Sequence, residues 1–128
     1  MAAIKIIKTF KDTKQFWLGL EVEGHRRKVF KAVDEEQIGA EKLVAGLTIF
    51  EPGERCAAHS HPGSEEVNFA IRGGGIAIDL TNGKETPFGQ NDFIWIPDGA
   101  EHVHYNNTEE PLWLLWVYGP PNLMPTDK

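Results

Sequence analysis

The stretch GERCAAHSHPGSEEVNFAIRG, which runs from Gly53 to Gly73, decides the fold of this chain. His59 and His61 stand two residues apart in it, so in an extended strand both imidazoles point to the same face. Glu66 follows His61 and begins an apolar run. Imidazoles next to a carboxylate form the mixed nitrogen and oxygen donor set that binds divalent transition metals. The stretch therefore predicts a metal site at the mouth of a β-hairpin.

A second stretch, NDFIWIPDGAEHVHYN at residues 91–106, supplies a further histidine, His102, just after a Pro-Asp-Gly turn. The two stretches together resemble the two motifs of the cupin superfamily. The first stretch matches its motif at every defined position, as Gly53-x5-His59-x-His61-x4-Glu66-x6-Gly73. The second stretch has Asn91 where that motif has Gly, and then matches at Pro97, Gly99, His102 and Asn106. Because asparagine tolerates the left-handed conformation that such a glycine supplies, the exchange leaves the resemblance intact.

The resemblance implies an antiparallel jelly-roll barrel of about six to eight strands. It also implies one divalent ion inside the barrel, which would be iron, manganese, zinc, nickel or cobalt. The implied ligands are His59, His61, Glu66 and His102. Glu65 competes with Glu66, because some cupins place the carboxylate one residue earlier, but only Glu66 leaves six residues before Gly73.

The rest of the chain favours the same all-β class in a single domain over residues 1–128, since the length is typical of one domain. Short runs rich in β-branched and aromatic residues are bounded by Gly, Pro or Asn, as in sandwiches and barrels. The predicted strands cover residues 16–22, 27–33, 43–50, 66–72, 75–80, 93–96, 102–106 and 112–118. Asn82-Gly83 predicts a hairpin. Only residues 34–42 look helical, with Asp34 as the N-cap.

The composition excludes several classes of protein. A single cysteine, Cys56, rules out an intrachain disulfide and a CxxC zinc module. No apolar run approaches the roughly 18 residues of a membrane span, and no apolar segment typical of a signal peptide is present. A net charge of −6 and a pI near 5.3 disfavour a nucleic-acid surface. We therefore expect a cytoplasmic protein that acts on a small molecule, without a nucleic-acid or membrane partner.

The charge is unevenly distributed along the chain. Residues 1–31 hold eight Lys or Arg and three acidic residues, whereas the remaining chain holds five and sixteen. These basic side chains are expected on exposed strand faces, against the acidic body of the same chain, or against a second copy of that body. An open jelly roll also leaves unpaired backbone groups at its edge strands. Both features favour a homodimer.

Period-2 alternation nominates residues around the metal. If His59 faces inward, so does Arg55, and Cys56 faces outward as a small buried hydrophobe. If His102 faces inward, so does His104, which makes His104 the candidate acid or base. The candidate substrate-binding residues are Arg72, Asn68, Arg55 and Tyr105.

The function expected from these features is that of a small metalloenzyme. A lyase or isomerase would use the ion as a Lewis acid on an oxygenated metabolite, with a nearby base. An Fe(II) dioxygenase would use open coordination positions for oxygen and a chelating substrate. The inward His104 favours the first chemistry. The alternative is a barrel that binds or senses a small ligand without catalysis, because a fold does not fix a function.

Overall fold

Nine strands and one helical turn make up the computed structural model, which describes residues 3–121. The strands are β1 (Lys14–Leu18), β2 (Arg27–Val33), β3 (Val44–Phe50), β4 (Glu65–Arg72), β5 (Gly75–Asp79), β6 (Lys84–Phe88), β7 (Phe93–Ile96), β8 (His102–Tyr105) and β9 (Leu112–Gly119). The helical turn, α1, covers Glu35–Ile38 between β2 and β3.

The strands form two antiparallel sheets. The larger sheet has the order β1-β2-β3-β9-β4-β7, and the smaller has the order β6-β5-β8. The chain before β4 continues the smaller sheet, because Arg55 pairs with Tyr105 and His59 pairs with His102. Strands distant in sequence are thus neighbours, as in a jelly roll. The predicted all-β, antiparallel jelly-roll class is confirmed.

Alternation along β4 separates the inside of the molecule from the outside. Glu66, Asn68 and Ala70 are buried, whereas their neighbours face the outer side of the large sheet. The interior contains an apolar cluster of Phe50, Cys56, Ala70, Val103, Leu112 and Leu114. Burying one such leucine contributes about 1.5–3 kcal/mol relative to an exposed one. The buried polar residues Glu66 and Asn68 of β4 share the interior with this cluster.

Two predicted elements are shorter in the structure, and a glycine accounts for each. β1 ends at Leu18 rather than at residue 22, because Gly19 has a φ of 73° and a Cβ there would lie 2.0 Å from the His25 carbonyl oxygen. The helix ends at Ile38 rather than at residue 42, because Gly39 adopts the left-handed conformation with φ 76°. The predicted N-cap is present, since the Asp34 carboxylate accepts a hydrogen bond from the Gln37 N–H at 2.8 Å.

The turns agree with their sequence signals. Gly83 has a φ of 74° in the turn between β5 and β6, where Asn82-Gly83 predicts a hairpin. Asn91 has a φ of 71° and is the one residue other than glycine with positive φ among residues 3–121. Its N–H donates to the Ala70 carbonyl at 2.7 Å, so asparagine takes over the conformation of the motif glycine. Within the same residues no helix is long and apolar enough to cross a membrane.

Candidate metal centre

Three of the four predicted ligands form one cluster in the structure. Donor atoms of His59, His61 and Glu66 all lie within 4.8 Å of one another. Oε1 of Glu66 is 3.0 Å from Nε2 of His61 and 3.7 Å from Nε2 of His102. His102 therefore borders the cluster from β8, while the other side chains come from β4 and the segment before it.

The donor atoms of this cluster are held in place by contacts behind them. Nδ1 of His59 lies 2.9 Å from the Ala57 carbonyl oxygen, and Nδ1 of His102 lies 2.9 Å from that of Ala100. Each carbonyl accepts the Nδ1 proton, which leaves the Nε2 lone pair available to an ion. Oε2 of Glu66 accepts a hydrogen bond from the Asn68 amide at 2.7 Å.

The ring of His61 is held by stacking in addition to the 3.0 Å contact of its Nε2 with Glu66. It lies on the Tyr118 ring with centroids 4.3 Å apart and an interplanar angle of 27°. Tyr118 continues the stack to Trp116, whose N–H donates to the Thr48 hydroxyl at 2.8 Å. The position of His61 thus depends on the inner face of β9.

The protonation states suit metal binding. Burial lowers the pKa of His59 to about 4, and the neighbouring His102 acts in the same direction, so this imidazole is neutral at neutral pH. Burial opposes ionisation of Glu66, but the adjacent His61 and other polar neighbours outweigh it and hold the carboxyl pKa at about 2. Neutral imidazoles and an ionised carboxylate are the forms that coordinate a cation.

Two buried atoms of the cluster fit a bound cation. Nε2 of His102 is shielded from solvent and has no hydrogen-bond partner among residues 3–121, and Oε1 of Glu66 is buried with the 3.0 Å contact to Nε2 of His61 beside it. Buried polar atoms are normally paired, so a converging set of buried donor atoms that includes an unpaired one is a place where an ion belongs. Nitrogen and oxygen donors in this ratio fit the predicted divalent transition metals.

Glu65, the competing carboxylate, points away from the histidines. It is exposed, and its Oε1 accepts a hydrogen bond from the Trp95 N–H at 2.9 Å on the outer side of the large sheet. Alternation along β4 is the reason, since neighbouring residues of a strand face opposite sides. The structure therefore brings Glu66, not Glu65, to the cluster.

A cavity of about 100 Å³ opens beside the cluster between the two sheets. Its polar lining consists of Arg27, Thr48, Cys56, His59, His61, Glu66, Asn68, His104 and Tyr118. Its apolar lining consists of Phe16, Leu18, Val29, Phe50, Leu114 and Trp116. A mostly apolar cavity with a few converging polar groups is the usual form of a site for a small molecule.

His104 lies beside the cluster, as alternation predicts. Its ring centroid is 5.2 Å from that of His102, and its buried Nε2 has no hydrogen-bond partner within the described residues. Burial lowers its pKa to about 3, so the imidazole is neutral. His104 also borders a second cleft of about 310 Å³ between β7 and the smaller sheet, which His102 shares.

The predicted orientation of Arg55 and Cys56 is wrong. Cys56 lines the cavity, whereas Arg55 lies outside it with its guanidinium 5.5 Å from the centre of the Tyr105 ring. Arg55 pairs with Tyr105, and His59 pairs with His102. Four residue steps separate Arg55 from His59, whereas three separate Tyr105 from His102. The segment from Arg55 to His59 therefore carries one extra residue. Such a β-bulge inverts the inward and outward positions that strict alternation predicts. Cys56 is nevertheless a buried free thiol packed in the apolar core, as expected of a small hydrophobe.

Of the four predicted substrate-binding residues, only Asn68 lines the cavity. Arg72 is exposed at the end of β4, after a register shift beyond Ala70, and lies over the outer Trp113 ring at 5.8 Å. Tyr105 has the opposite orientation to the inward His104 and contacts Arg55. Arg72, Arg55 and Tyr105 thus lie outside this cavity, and their role in substrate binding stays a prediction.

Arg27, Thr48, Trp116 and Tyr118 line the cavity although the sequence analysis does not single them out. Alternation along the strand could have identified Arg27, because Arg27 stands two residues before the buried Val29 and therefore shares its face. Arg27 also corrects the expectation that the basic side chains of the first third lie exposed, because only 4% of its surface is accessible.

Two curated relatives match part of this chain. Gentisate 1,2 dioxygenase 1 from Aquipseudomonas alcaligenes is 35% identical over 77 residues, which are 60% of this chain and 21% of that protein. Polyketide synthase CurC from Streptomyces cyaneus is 31% identical over 83 residues, which are 65% of this chain and 53% of that protein. The chain thus spans about a fifth and about half of these relatives.

Solved structures share the fold at low identity. A predicted oxalate decarboxylase from Thermotoga maritima superposes with a TM-score of 0.77 at 18% identity, over 91% of this chain and all of that one. The polyketide cyclase RemF from Streptomyces resistomycificus superposes with a TM-score of 0.73 at 20% identity, over 93% of this chain and 83% of that one. These likenesses establish the fold.

The family follows from a direct match to the sequence. The family model described as "Cupin domain" matches residues 46–118, more than half of the chain, and includes all four predicted ligands. This match agrees with the two motifs and with the jelly-roll topology of the sheets. The chain belongs to the cupin domain family.

Proposed function

We propose that this chain is a divalent-metal-dependent enzyme that acts on a small oxygenated metabolite as a lyase or isomerase. The observation that carries the proposal is the convergence of His59, His61 and Glu66 at one end of a mostly apolar cavity. All three side chains line this cavity of about 100 Å³. A site that served only to stabilise the fold would have no need of the cavity.

His59, His61, Glu66 and His102 would hold the ion. When bound, the ion would supply a Lewis acid that polarises a carbonyl or carboxylate oxygen. The Ala57 and Ala100 carbonyls orient His59 and His102. The Asn68 amide donates a hydrogen bond to Glu66 and so fixes the orientation of that carboxylate. Such supporting contacts typically contribute 10- to 100-fold to metal affinity or activity.

The walls of the cavity would orient the substrate and exclude water. Phe50, Leu114 and Trp116 offer apolar surface, and Thr48 offers a hydroxyl that already accepts from the Trp116 N–H. Excluding water strengthens the electrostatic interactions of a polar group with the substrate. The substrate expected here has an apolar body and an oxygenated end.

His104 would hold or move a proton at Nε2, which is neutral, buried and borders the cavity. His104→Ala should lower kcat by about 10²–10⁴, the usual contribution of a positioned acid or base, while metal content stays unchanged. His104→Gln should restore hydrogen bonding but not the rate. Loss of metal in His104→Ala would make the residue a ligand or its support, and unchanged kcat would make it a wall residue.

The proposal is tested by metal analysis and turnover. Elemental analysis of the purified protein should find one divalent transition metal per chain, and small hydroxy and keto acids should then be assayed as substrates. Dialysis against a chelator should abolish turnover, and the same ion should restore it. Full activity without metal would refute the proposal. Saturable ligand binding without turnover would instead support the alternative of a binding or sensing barrel.

An iron-dependent dioxygenase is the second candidate, because of the 35% identity to gentisate 1,2 dioxygenase 1. Oxygen consumption separates the two chemistries. A dioxygenase loaded with Fe(II) should take up oxygen with its substrate, whereas a lyase or isomerase should turn over equally well in the absence of oxygen.

We also propose a homodimer that forms through the outer face of the large sheet. Phe93 and Trp95 on β7 are 75% and 64% exposed, and Leu115 on β9 is 38% exposed on the same face. Exposed apolar side chains on an edge strand favour association with a second copy.

Light scattering should therefore give twice the chain mass of 14.3 kDa. The double variant Phe93→Asp, Trp95→Asp should be monomeric, whereas Leu20→Asp, exposed in the turn after β1, should remain a dimer. A wild-type mass of one chain at micromolar concentration would contradict the proposal.

A further inference from the structure

We propose that Tyr118 and Trp116 are positioning residues, which fix the ring of His61 for metal binding. The other two histidines of the cluster each have a backbone acceptor behind the ring, whereas His61 has an aromatic stack. The inference rests on the proposed function, because the ion that His61 would bind belongs to it. It extends the metal centre to β9, a strand that supplies none of the predicted ligands.

The three histidines of the cluster differ in what lies behind the ring. Nδ1 of His59 lies 2.9 Å from the Ala57 carbonyl oxygen, and Nδ1 of His102 lies 2.9 Å from that of Ala100. Nδ1 of His61 is buried and has no hydrogen-bond partner in the described part of the chain. A histidine that binds a metal ordinarily donates this second ring proton to an acceptor, which fixes the ring. Within the described residues, His61 must therefore be oriented by other contacts.

The contact of His61 with Glu66 cannot supply this orientation once an ion is bound. It joins Nε2 to Oε1 at 3.0 Å, and these are the atoms that would face the ion. An Nε2 whose lone pair binds an ion carries no proton to donate to the carboxylate. The Tyr118 ring instead lies on the face of His61, with centroids 4.3 Å apart and an interplanar angle of 27°. Since the nitrogen lone pairs lie in the ring plane, this stack leaves them available.

Tyr118 is itself fixed from β3. Only 2% of its surface is accessible, and its ring lies 6.0 Å from that of Trp116 at an interplanar angle of 18°. The Trp116 N–H donates to the Thr48 hydroxyl at 2.8 Å. Gly46 pairs with Trp116 and leaves room for the indole, since a Cβ on Gly46 would lie 2.6 Å from its Cζ2. A continuous series of contacts therefore leads from Thr48 to His61.

Zinc affinity tests the inference, measured by competition with a chelating indicator on protein first dialysed against a chelator. Tyr118→Leu should weaken zinc binding about 10- to 100-fold, the usual effect of losing a contact that supports a ligand. Tyr118→Phe keeps the stacked ring and should bind zinc as wild type does. Thr48→Val removes the acceptor of the Trp116 N–H without changing the volume of the side chain, so its affinity should lie between these two.

Trp113→Leu is the matched control. It removes an aromatic ring from the same strand, but from the outer face, where Trp113 lies 5.8 Å from the Arg72 guanidinium. Its zinc affinity should equal that of wild type. If Tyr118 served only to fill the interior, Tyr118→Leu would lower the melting temperature and leave the zinc affinity of the folded protein unchanged, as Trp113→Leu does.

A second readout needs no metal. In NMR spectra of the metal-free protein, the ring protons of His61 should lie upfield of their ordinary position because of the Tyr118 ring current. The His61→Gln spectrum assigns these signals. The upfield shift should persist in Tyr118→Phe, decrease in Thr48→Val and disappear in Tyr118→Leu. Should Tyr118→Leu fail to fold, Thr48→Val decides, and an unchanged zinc affinity and His61 shift in that variant would contradict the inference.

Wild-type zinc affinity in a folded Tyr118→Leu would overturn the inference. Equal losses in Tyr118→Phe and Tyr118→Leu would do the same, because they would assign the effect to the hydroxyl. The proposed function fails separately. If wild type binds no divalent metal but the His61 shift depends on the Tyr118 ring, the enzyme proposal falls and the fixed orientation of His61 stands. If wild type binds zinc and no variant of the stack changes the affinity, only the positioning role falls.

Discussion

Replacing both His59 and His61 by alanine is expected to abolish binding of a divalent transition metal. The double change removes two of the three donor groups that lie within 4.8 Å of one another. Weakening a contact behind a ligand already costs about 10- to 100-fold in affinity, so removing two ligands should leave no measurable site. Elemental analysis of the purified variant, supported by calorimetric titration with zinc, measures the effect.

The control for this experiment is His25→Gln, since His25 is the one described histidine outside the cluster and its surroundings. The double variant should keep the circular dichroism spectrum of wild type, because the apolar core of Phe50, Leu112 and Leu114 does not involve the metal site. Its melting temperature should fall only by the stabilisation that bound metal provides. Metal stoichiometry equal to that of wild type would refute the ligand assignment.

A pair of carboxylate variants tests the orientation of β4 in the same assay. Glu66→Gln should lower metal affinity, because it replaces an ionised donor whose buried Oε1 lies 3.0 Å from Nε2 of His61. Glu65→Gln should leave affinity unchanged, because that side chain contacts Trp95 on the outside. The opposite result would shift β4 by one residue and invert its inward face.

Alternation was sufficient to predict the face of β4. Glu66 and Asn68 point inward and Val67 outward because β4 pairs on both sides, with β7 and β9, over these residues without a register shift. The position of Asn91 in the second motif, together with the tolerance of asparagine for the left-handed conformation, predicted that Asn91 replaces a glycine with positive φ. Both predictions depend only on local backbone geometry, which short sequence patterns specify well.

Alternation failed where an extra residue interrupts a strand-like segment. The bulge between Arg55 and His59 moves Cys56 into the cavity. The sequence RCAAH contains no residue type that predicts this bulge. Bulges arise from the pairing with a distant strand, here β8, so they are set by tertiary structure.

Arg27 escaped prediction for a related reason. Its inward position follows from the pairing of β1 with β2, and that pairing depends on the close approach of Gly19 to the His25 carbonyl. Because arginine is usually exposed, the residue type predicts an outward side chain, whereas Arg27 is buried.

The largest effect on stability is expected at Asn106, the last residue of the second motif. Its side chain is fully buried and forms hydrogen bonds with backbone groups of three residues in two segments. The amide donates to the Phe50 and Glu110 carbonyls at 3.0 and 2.8 Å, and its oxygen accepts from the Thr108 N–H at 3.0 Å. Asn106 thereby ties the end of β3 to the loop between β8 and β9.

Asn106→Ala should lower the free energy of unfolding by about 2–4 kcal/mol, because it removes three hydrogen bonds worth about 0.5–1.5 kcal/mol each and leaves the buried Phe50 carbonyl without this partner. Urea unfolding followed by circular dichroism measures the change, and an unaltered m-value would assign it to the folded state. Asn106→Asp should also destabilise strongly, since a carboxylate would place negative charge against two carbonyl oxygens. The neighbouring Asn107 is exposed, so Asn107→Ala should change stability by less than about 0.5 kcal/mol. A loss below about 1 kcal/mol in Asn106→Ala would mean that water replaces the amide and that the loop between β8 and β9 is held by other contacts.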